Sequence, residues 1–309
     1  MSTPATPAGP GAPRFLAVVN PAAGGGACGR SAPAAIDRLR QEGLAVDVFE
    51  TKSADEARVR ARDELAAGRR DFIAVGGDGT SFEIVNGLLD APISGVRPSL
   101  GFLPLGTGNS FLRDFTDQGA EYAIDALKQG KKQPCDVIRV THTTGVLHCI
   151  NIFSIGFVAA VGATRNRHFS GLGEFGYTLS TVLRVANLRP YVFPMKIPGR
   201  DESREPLTFL SINNSRFTGG KMMMAPDANT RDGLLDIIRV GRMGRITLLR
   251  TFPKIFKGTH VQHPAVSCYQ APAVDLTLPD EVDVMIDGEM MKFNPTRLEV
   301  IPGAIDVRT

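Results

Sequence analysis

The stretch Phe72-Ile73-Ala74-Val75-Gly76-Gly77-Asp78-Gly79-Thr80-Ser81-Phe82-Glu83 decides the fold of this chain. The apolar run at 72–75 predicts a buried strand, and the pattern at 81–89 predicts a helix. The glycines between them let the backbone approach a ligand, and the start of a helix attracts phosphate. Asp78 adds a carboxylate where a phosphate-bound Mg²⁺ would lie. This combination favours a phosphate-binding loop over a tight turn in which Asp78 only caps a helix.

Two further glycine-containing loops stand at the same kind of strand–helix junction. Residues 20–26 follow a predicted strand at 15–19, and residues 104–109 follow one at 99–103. Strands that alternate with helices predict a parallel sheet covered on both faces, with ligands at the carboxyl ends of the strands. We therefore expect all three loops at one sheet edge. Neither the GxxxxGK[ST] pattern nor the GxGxxG pattern occurs at these junctions.

The pattern changes after about Cys135, where short strand-like runs follow one another closely. Helical patterns remain only near 177–188 and 246–256. The predicted fold class is an α/β N-terminal domain with a parallel sheet (14–136), followed by a C-terminal β-sandwich domain (137–298). The runs that we interpret as strands of the sandwich are 148–157, 191–197, 207–213, 235–240, 266–270, 274–278 and 282–286.

The composition indicates a globular protein of more than one domain, with 309 residues, 43% hydrophobic and 22% charged. A net charge of +3 is too small to predict nucleic-acid binding, so none is expected. The four cysteines form no CxxC pair, which predicts buried thiols in a reducing, cytoplasmic compartment. Residues 1–13 predict a disordered tail, and no apolar run reaches the ~18 residues of a membrane span.

The three loops together resemble the diacylglycerol kinase catalytic-domain family, which includes bacterial diacylglycerol and related lipid kinases, sphingosine kinases and ceramide kinases. The loop residues that carry the resemblance are Asn20-Pro21-Ala22-Ala23-Gly24, Gly76-Gly77-Asp78-Gly79-Thr80 and Pro104-Leu105-Gly106-Thr107-Gly108-Asn109. The second half agrees through Gly219-Gly220-Lys221-Met222, Ala225-Pro226-Asp227-Ala228, Asp232-Gly233-Leu234-Leu235-Asp236 and Asp287-Gly288-Glu289. The second loop alone is shared with NAD kinases and phosphofructokinases, whereas the joint set is specific.

The resemblance implies an N-terminal domain that binds ATP, a sandwich that supplies the acceptor side of a cleft, and a chain end (299–309) that returns to the first domain. By position, the implied nucleotide contacts are Asn20, Pro21, Ala22, Ala23, Gly24, Thr51, Gly76, Gly77, Asp78, Gly79, Thr80, Ser81, Phe82, Glu83, Thr107 and Asn109. The implied Mg²⁺ site is Asp232 with oxygens of Asn229 and Leu234. The implied reaction transfers the γ-phosphoryl group of ATP to a lipid hydroxyl, first of all that of diacylglycerol.

The general base is implied to lie in Asp287-Gly288-Glu289. Phosphoryl transfer needs a carboxylate that takes the proton of the acceptor hydroxyl. In an extended strand Asp287 and Glu289 share a face, and in a turn both can reach a substrate. We favour Glu289 as the proton acceptor and keep Asp287 as the second candidate. The residues by themselves favour a hairpin turn, because Asp-Gly is a strong hairpin signal.

Two positions differ from the family's common pattern. Ser110 stands where Asp is common, and Ser81-Phe82-Glu83 stands where Leu-Asn-Glu is common. The differences keep a ceramide or sphingoid-base kinase open as an alternative. A soluble kinase of the NAD kinase type, which shares the second loop, is a further alternative. A binding module without catalysis is disfavoured, because the candidate acidic residues are all present.

A lipid kinase without a membrane span must bind the membrane peripherally, and residues 239–263 are the first candidate segment. They include no Asp or Glu, and they combine Arg239, Arg242, Arg245, Arg250, Lys254 and Lys257 with Ile246, Leu248, Leu249, Phe252, Ile255 and Phe256. Such a segment can lie on anionic lipid, or it can pack on the sandwich with a solvated basic face. A second candidate is 165–169 with 171–176, and Met222-Met223-Met224 are candidates for an acyl-chain pocket. A homodimer stays open.

Overall fold

The structure, a computed structural model, describes residues 14–90, 95, 97–106, 108–116, 120–156 and 190–309. The chain divides into two units: residues up to Cys135 together with Gly303–Thr309, and Asp136–Pro302. The predicted tail at 1–13, the predicted helix at 177–188, the second membrane candidate and Thr107 lie outside the described residues.

The first unit alternates strands with helices. Its strands are β1 (Arg14–Val19), β2 (Ala45–Glu50), β3 (Asp71–Gly76) and β4 (Ser99–Pro104). Its helices are α1 (Ala27–Gln41), α2 (Ala54–Ala66), α3 (Asp78–Leu89), α4 (Ala120–Gln129) and the 3₁₀ helix Phe111–Asp114. The sheet is parallel in the order β2-β1-β3-β4, and the last residues of β18 (Pro295–Arg308) join β4 in parallel, with Asp306 beside Ser99.

The core of this unit explains why these residues form these elements. Strands β1, β3 and β4 are buried at almost every position, as expected when helices cover both faces of a parallel sheet. Helix α1 buries one stripe against that sheet, formed by Cys28, Ala32, Ile36 and Leu39. Helix α3 lies close to α2, since a Cβ on Gly87 would stand 2.2 Å from the carbonyl oxygen of Arg58.

The second unit is built from antiparallel strands. Its strands are β5 (Lys132–His142, which begins in the first unit), β6 (Gly145–Cys149), β7 (Ile152–Gly156), β8 (Tyr191–Val192), β9 (Met195–Lys196), β10 (Pro206–Asn213), β11 (Phe217–Thr218), β12 (Met222–Met223), β13 (Leu235–Gly241), β14 (Val266–Ala271), β15 (Ala273–Leu276), β16 (Val282–Ile286), β17 (Glu289–Phe293) and the first part of β18. Its helices are α5 (Arg245–Thr251) and the 3₁₀ helices Phe252–Lys257 and Thr259–Gln262.

One sheet of this unit has the order β14-β13-β10-β7-β16-β17, with β8 beside β10. In the other, β15 pairs with β9 and β18, and β5 pairs with β18 and β6. The predicted combination of a parallel α/β domain with a C-terminal β-sandwich is therefore confirmed.

Four predictions differ from the structure. The run at 191–197 is not one strand but the two short strands β8 and β9, which pair in different sheets. The run at 148–157 is two strands, β6 and β7. Between them the backbone N–H groups of Ile150 and Asn151 donate to the carboxylate of Asp287 instead of to a neighbouring strand. All four cysteines are free, but Cys268 is exposed rather than buried. The helix expected from Ser110 is only the 3₁₀ turn Phe111–Asp114. Among the described residues, no helix has the length and apolar character needed to cross a membrane.

Candidate active site

The three glycine-containing loops meet at the carboxyl ends of β1, β3 and β4. The backbone N–H of Asn20 donates to the carbonyl oxygen of Val75 at 3.0 Å, which joins the first loop to β3. The N–H of Gly106 donates to the carbonyl oxygen of Gly76 at 2.8 Å, which joins the third loop to the second. The predicted convergence of the loops at one sheet edge is confirmed.

Two glycines are required where the second and third loops touch. A Cβ on Gly106 would lie 2.6 Å from both the nitrogen and the Cα of Gly77, and a Cβ on Gly77 would lie 2.7 Å from the carbonyl oxygen of Gly108. Neither glycine has a positive φ, so the reason for glycine here is space rather than backbone freedom. The two loops thus form one packed backbone unit at the start of α3.

Asp78 holds the third loop in place. Its N–H donates to the carbonyl oxygen of Gly108 at 2.8 Å, and both of its carboxylate oxygens accept from the N–H of Ser110 at 3.0 Å. Burial raises the pKa of Asp78, and hydrogen bonds from Ser110 and Phe111 act in the opposite direction. The carboxylate therefore caps the neighbouring 3₁₀ helix. The side-chain amide of Asn109 donates to the carbonyl oxygen of Gly106 at 2.8 Å, within the third loop.

The first loop is folded tightly against the start of α1. The side-chain oxygen of Asn20 accepts from the N–H of Ala22 at 3.1 Å, and the N–H of Gly29 donates to the carbonyl oxygen of Pro21 at 3.1 Å. Three consecutive residues, Gly24, Gly25 and Gly26, have φ of 62°, 64° and 84°, a conformation that glycine adopts without steric cost. Ala23 packs against the core of the unit. The loop is thus a defined structure beside the other two.

Two hydroxyl groups lie at this edge with different surroundings. The buried Thr51 follows β2, and both its N–H and its hydroxyl donate to the carbonyl oxygen of Val19, at 2.9 and 3.2 Å. Thr80, in the first turn of α3, is also buried, and its hydroxyl oxygen has no hydrogen-bond partner within the described residues. That oxygen is packed against Gly76 and closed off from solvent, so the positive end of the dipole at the start of α3 is the feature that fits the phosphate groups of a nucleotide.

The remaining predicted residues of the second loop point mostly inward. Ser81 and Phe82 are buried, whereas Gly79 and Glu83 are half-buried. Ser81 and Asn109 line a cavity of about 10 Å³ beneath the loops. A cavity of that size holds one water molecule at most, so this cavity itself cannot hold a nucleotide.

The loop before β13 is the predicted Mg²⁺ site. The side-chain oxygen of Asn229 accepts from the N–H of Arg231 at 3.2 Å, and one oxygen of Asp232 accepts from the N–H of Leu234 at 3.0 Å. Asp232 is exposed. No group of three or more His, Cys, Asp or Glu side chains that could hold a metal ion occurs in the described part of the chain. Amide and carboxylate oxygens suit Mg²⁺, which keeps several of its own waters, so the donor chemistry fits although the site is sparse.

Two buried acidic residues beside this loop were missed by sequence reasoning. The carboxylate of Asp136 accepts from the N–H of Gly233 at 2.7 Å and so fixes the loop. Asp236 in β13 is buried, and burial, followed by the charges of Asp232 and Asp227, raises its pKa to about 6. The sequence did contain a signal for Asp236, because a buried strand position rarely holds an Asp without a specific role.

Asp287 and Gly288 form the two-residue turn between β16 and β17. Their φ values of 46° and 89° are those of the turn type that Asp-Gly favours in hairpins, so the hairpin interpretation is confirmed. The carboxylate of Asp287 is buried and accepts from the N–H groups of Ile150, Asn151 and Ile152 at 2.9–3.0 Å. These hydrogen bonds hold the β6–β7 connection in place, so Asp287 has a structural role.

Glu289 is the first residue of β17 and follows that fixed turn directly. The residue is exposed at the surface, but partial burial of its carboxylate raises its pKa above the usual value. The two candidate bases therefore differ: Asp287 is saturated by backbone donors, while Glu289 is available to accept a proton.

Some of the methionine and arginine side chains predicted to contact lipid are buried in the structure, and others are not. Met224 is buried in the core, whereas Met222 and Met223 are half-buried. Arg239 was expected on the membrane-facing segment, and this is wrong. It is buried in β13, where its guanidinium donates to Ser203 at 2.7 Å and to Glu205 at 3.1 Å.

Comparisons with known proteins agree with this arrangement. The family model of the diacylglycerol kinase catalytic domain matches residues 14–140, and that of the YegS C-terminal NAD kinase beta sandwich-like domain matches residues 151–309. A diacylglycerol kinase of Mycobacterium tuberculosis is 32% identical over 299 residues, covering 95% of this chain and 94% of the relative. A probable YegS-like lipid kinase of Yersinia enterocolitica is 29% identical, covering 89% of this chain and 90% of the relative.

Solved structures show the same fold. The crystal structure of a Bacillus anthracis protein that bears a diacylglycerol kinase name has a TM-score of 0.77 at 25% identity, covering 96% of both chains. Yeast NADH kinase has a TM-score of 0.51 at 10% identity, covering 96% of this chain and 79% of the other, and shows likeness of fold alone. The kinase family implies the use of ATP and, in general, of a divalent metal ion. Taken with the two matched domains, the full-length similarity shows that this chain belongs to the diacylglycerol kinase family of lipid kinases.

Proposed function

We propose that this protein transfers the γ-phosphoryl group of ATP to the hydroxyl group of diacylglycerol. The observation that carries the proposal is the position of Glu289, a carboxylate with a raised pKa directly after a turn fixed by three backbone hydrogen bonds. A base held by a rigid hairpin can take a proton at a defined place. The M. tuberculosis relative named diacylglycerol kinase supports the choice of acceptor.

In this proposal the three loops bind the nucleotide. The start of α3 offers the positive end of the helix dipole to the phosphate groups. Asp78 does not bind phosphate itself but keeps the third loop packed on the second through Ser110. Asp232 and Asn229 would hold the metal ion, which, when bound, offsets the negative charge of the transferred phosphoryl group.

Glu289 acts as the general base in the same proposal, and Asp287 positions it. Burial raises the pKa of Glu289, which makes its carboxylate a stronger base than that of an ordinary glutamate. The carboxylate of Asp287 already accepts three backbone hydrogen bonds. Taking a proton from the lipid hydroxyl would weaken those bonds, so Asp287 is the poorer base.

The two departures from the family pattern do not argue against diacylglycerol. Ser81 and Phe82 are buried, and Ser110 is buried with its N–H bound to Asp78. Side chains in the interior of the first unit change how the loops pack rather than which lipid is contacted. Ceramide and sphingoid bases remain the alternative acceptors. Because the acceptor is a membrane lipid, the protein would work as a peripheral protein on the cytoplasmic face of a membrane.

The test is transfer of label from γ-labelled ATP, with Mg²⁺, to mixed micelles that contain diacylglycerol, ceramide or a sphingoid base in separate reactions. We expect label in diacylglycerol, and Glu289→Gln should lower the rate of its appearance by about 10²–10⁴-fold. Label in another lipid would correct the acceptor and leave the reaction class intact. Label in none of these lipids would overturn the proposal.

A further inference from the structure

The segment formed by α5 and the following 3₁₀ helix packs on the sandwich through one apolar face. Ile255 is buried and Leu248 is half-buried, and both belong to a core cluster with Met224 and Met243. This packing alone would account for an amphipathic pattern with a solvated basic face. It requires no external partner.

The packing leaves a second apolar face uncovered. Ile246 is 67% exposed, Leu249 46% and Phe256 49%, and they are three of the eight large apolar side chains exposed among the described residues. Ile246 and Leu249 are three positions apart and so share a helix face. The ring of Phe256 is held edge-on to that of Phe252, with centroids 6.4 Å apart. Such grouping of exposed apolar side chains is typical of a binding surface.

The same stretch of chain carries five cations. All five are exposed, and none forms an ion pair anywhere in the part of the chain that the structure describes. The segment contains no acidic residue, so its positive charge is uncompensated. The five cations are Arg242, Arg245, Arg250, Lys254 and Lys257.

We propose that Ile246, Leu249 and Phe256 with these five cations form one surface, the basic apolar surface, that binds the anionic face of a lipid bilayer. The apolar side chains would enter the boundary between head groups and acyl chains, and the cations would contact the anionic head groups. A polyanion such as nucleic acid would satisfy the cations but leave the apolar side chains in water. The uncovered apolar face therefore favours a bilayer.

The residues that directly follow the basic apolar surface along the chain contact the methionine-containing segment 222–226. The ring nitrogen Nε2 of His260 donates to the carbonyl oxygen of Met224 at 3.1 Å. A Cβ on Gly258 would lie 2.6 Å from Pro226 and 2.9 Å from the sulfur of Met223. A bilayer bound at this surface would therefore lie next to the segment that we associate with an acyl chain. In this respect the inference deepens the proposed function, because the acceptor is a bilayer lipid.

Tryptophan fluorescence can test insertion directly, because the protein has no tryptophan. The Phe256→Trp variant is mixed with vesicles of equal parts phosphatidylcholine and phosphatidylserine, without ATP. We expect a blue shift of the emission and quenching by brominated acyl chains. Val48→Trp, at an exposed position of the first unit, is the matched control and should show neither change.

Vesicle sedimentation of the same mixtures tests the two components of the surface separately. Replacing Ile246, Leu249 and Phe256 by Ser should weaken binding about tenfold or more. Lys254→Gln with Lys257→Gln should weaken it by about fivefold per charge, and only with phosphatidylserine present. The double variant Val48→Ser with Val59→Ser, also at exposed apolar positions, should bind as the parent does.

The inference is overturned if the parent does not bind these vesicles or if the triple serine variant binds as tightly as the parent. It is also overturned if the emission of the Phe256→Trp variant is unchanged by vesicles while a polyanion such as heparin is bound. Kinase activity on a short-chain diacylglycerol dissolved in water separates this outcome from the proposed function. Activity without vesicle binding would refute the docking surface alone, and vesicle binding without activity would refute the reaction alone.

Discussion

Asp287 and Ile152 are joined by two hydrogen bonds in opposite directions. The N–H of Asp287 donates to the carbonyl oxygen of Ile152 at 2.9 Å, and the carboxylate of Asp287 accepts from the N–H of Ile152 at 2.9 Å. The hairpin that carries Glu289 is therefore attached to the start of β7 through both the backbone and the side chain. This attachment separates the roles of two acidic residues that stand two positions apart.

The variant Asp287→Asn should destabilise the protein. An amide oxygen cannot accept from all the backbone donors that the carboxylate satisfies, and Asn tolerates the left-handed turn, so the turn itself is not tested. We expect a loss of about 2–4 kcal/mol in the free energy of unfolding, measured by urea denaturation. An unchanged midpoint would show that the carboxylate is not the anchor of the β6–β7 connection.

The variant Glu289→Gln should act on the rate instead of on stability. Removing a general base lowers kcat by about 10²–10⁴-fold, while a change at an exposed position alters unfolding by no more than about 0.5 kcal/mol. Assays of kcat and of urea denaturation on the same preparation check both expectations. A kcat close to that of the parent would show that another group accepts the proton.

The dependence of kcat/KM on pH in the parent protein should reflect the protonation of Glu289. Because burial raises its pKa, the carboxylate is protonated, and inactive as a base, up to a pH above the ordinary value of 4.5. We expect kcat/KM to fall as the pH decreases, with a midpoint above 4.5. A midpoint at or below that value would contradict the assignment.

The variant Gly106→Ala should disturb ATP binding more than lipid binding. The added Cβ would stand 2.6 Å from the backbone of Gly77, so one loop has to move. Overpacking of this kind costs about 1–3 kcal/mol, and we expect a raised KM for ATP with little change in KM for the lipid. Gly145→Ala is the control, since its Cβ would meet its nearest atoms at an ordinary 3.4 Å. Equal KM values for ATP in the two variants would refute the packing argument.

His260 should make stability depend on pH. Burial lowers its pKa below the usual 6.5, so the unfolded chain takes up the proton first as the pH falls. The contribution of His260 to stability is complete above pH 6.5 and decreases below it. The variant His260→Gln can still donate to Met224. We expect the decrease in Tm between pH ~7.5 and ~5.5 to be smaller for this variant than for the parent. Gln262→Asn, at an exposed position that does not titrate, is the control and should keep the decline of the parent.

Local features were predictable from the sequence because their physical causes are local. The alternation of strands and helices, the glycine loops at strand ends and the Asp-Gly hairpin follow from residue types within a few positions of one another. The convergence of the loops followed as well, since parallel strands bring their carboxyl ends to one edge. The strand–loop–helix order of residues 72–82 needed no knowledge of distant residues.

Tertiary structure decided the roles of the charged residues, because their partners are distant along the chain. Asp78 binds Ser110, 32 positions away, and Asp287 binds Asn151, 136 positions away. Arg239 is not part of the exposed basic surface, because its buried guanidinium donates to Ser203 and forms an ion pair with Glu205. No periodicity reveals such pairings.

The exposed apolar face shows the same limit. The sequence determined that residues 239–263 are basic and amphipathic, and both a packed helix and a membrane-binding one satisfied that pattern. Only the packing showed that Ile255 turns inward while Ile246 and Phe256 stay in water. Composition thus determined which residues could bind a membrane, whereas burial, which depends on every neighbouring element, decided which of them are free to do so.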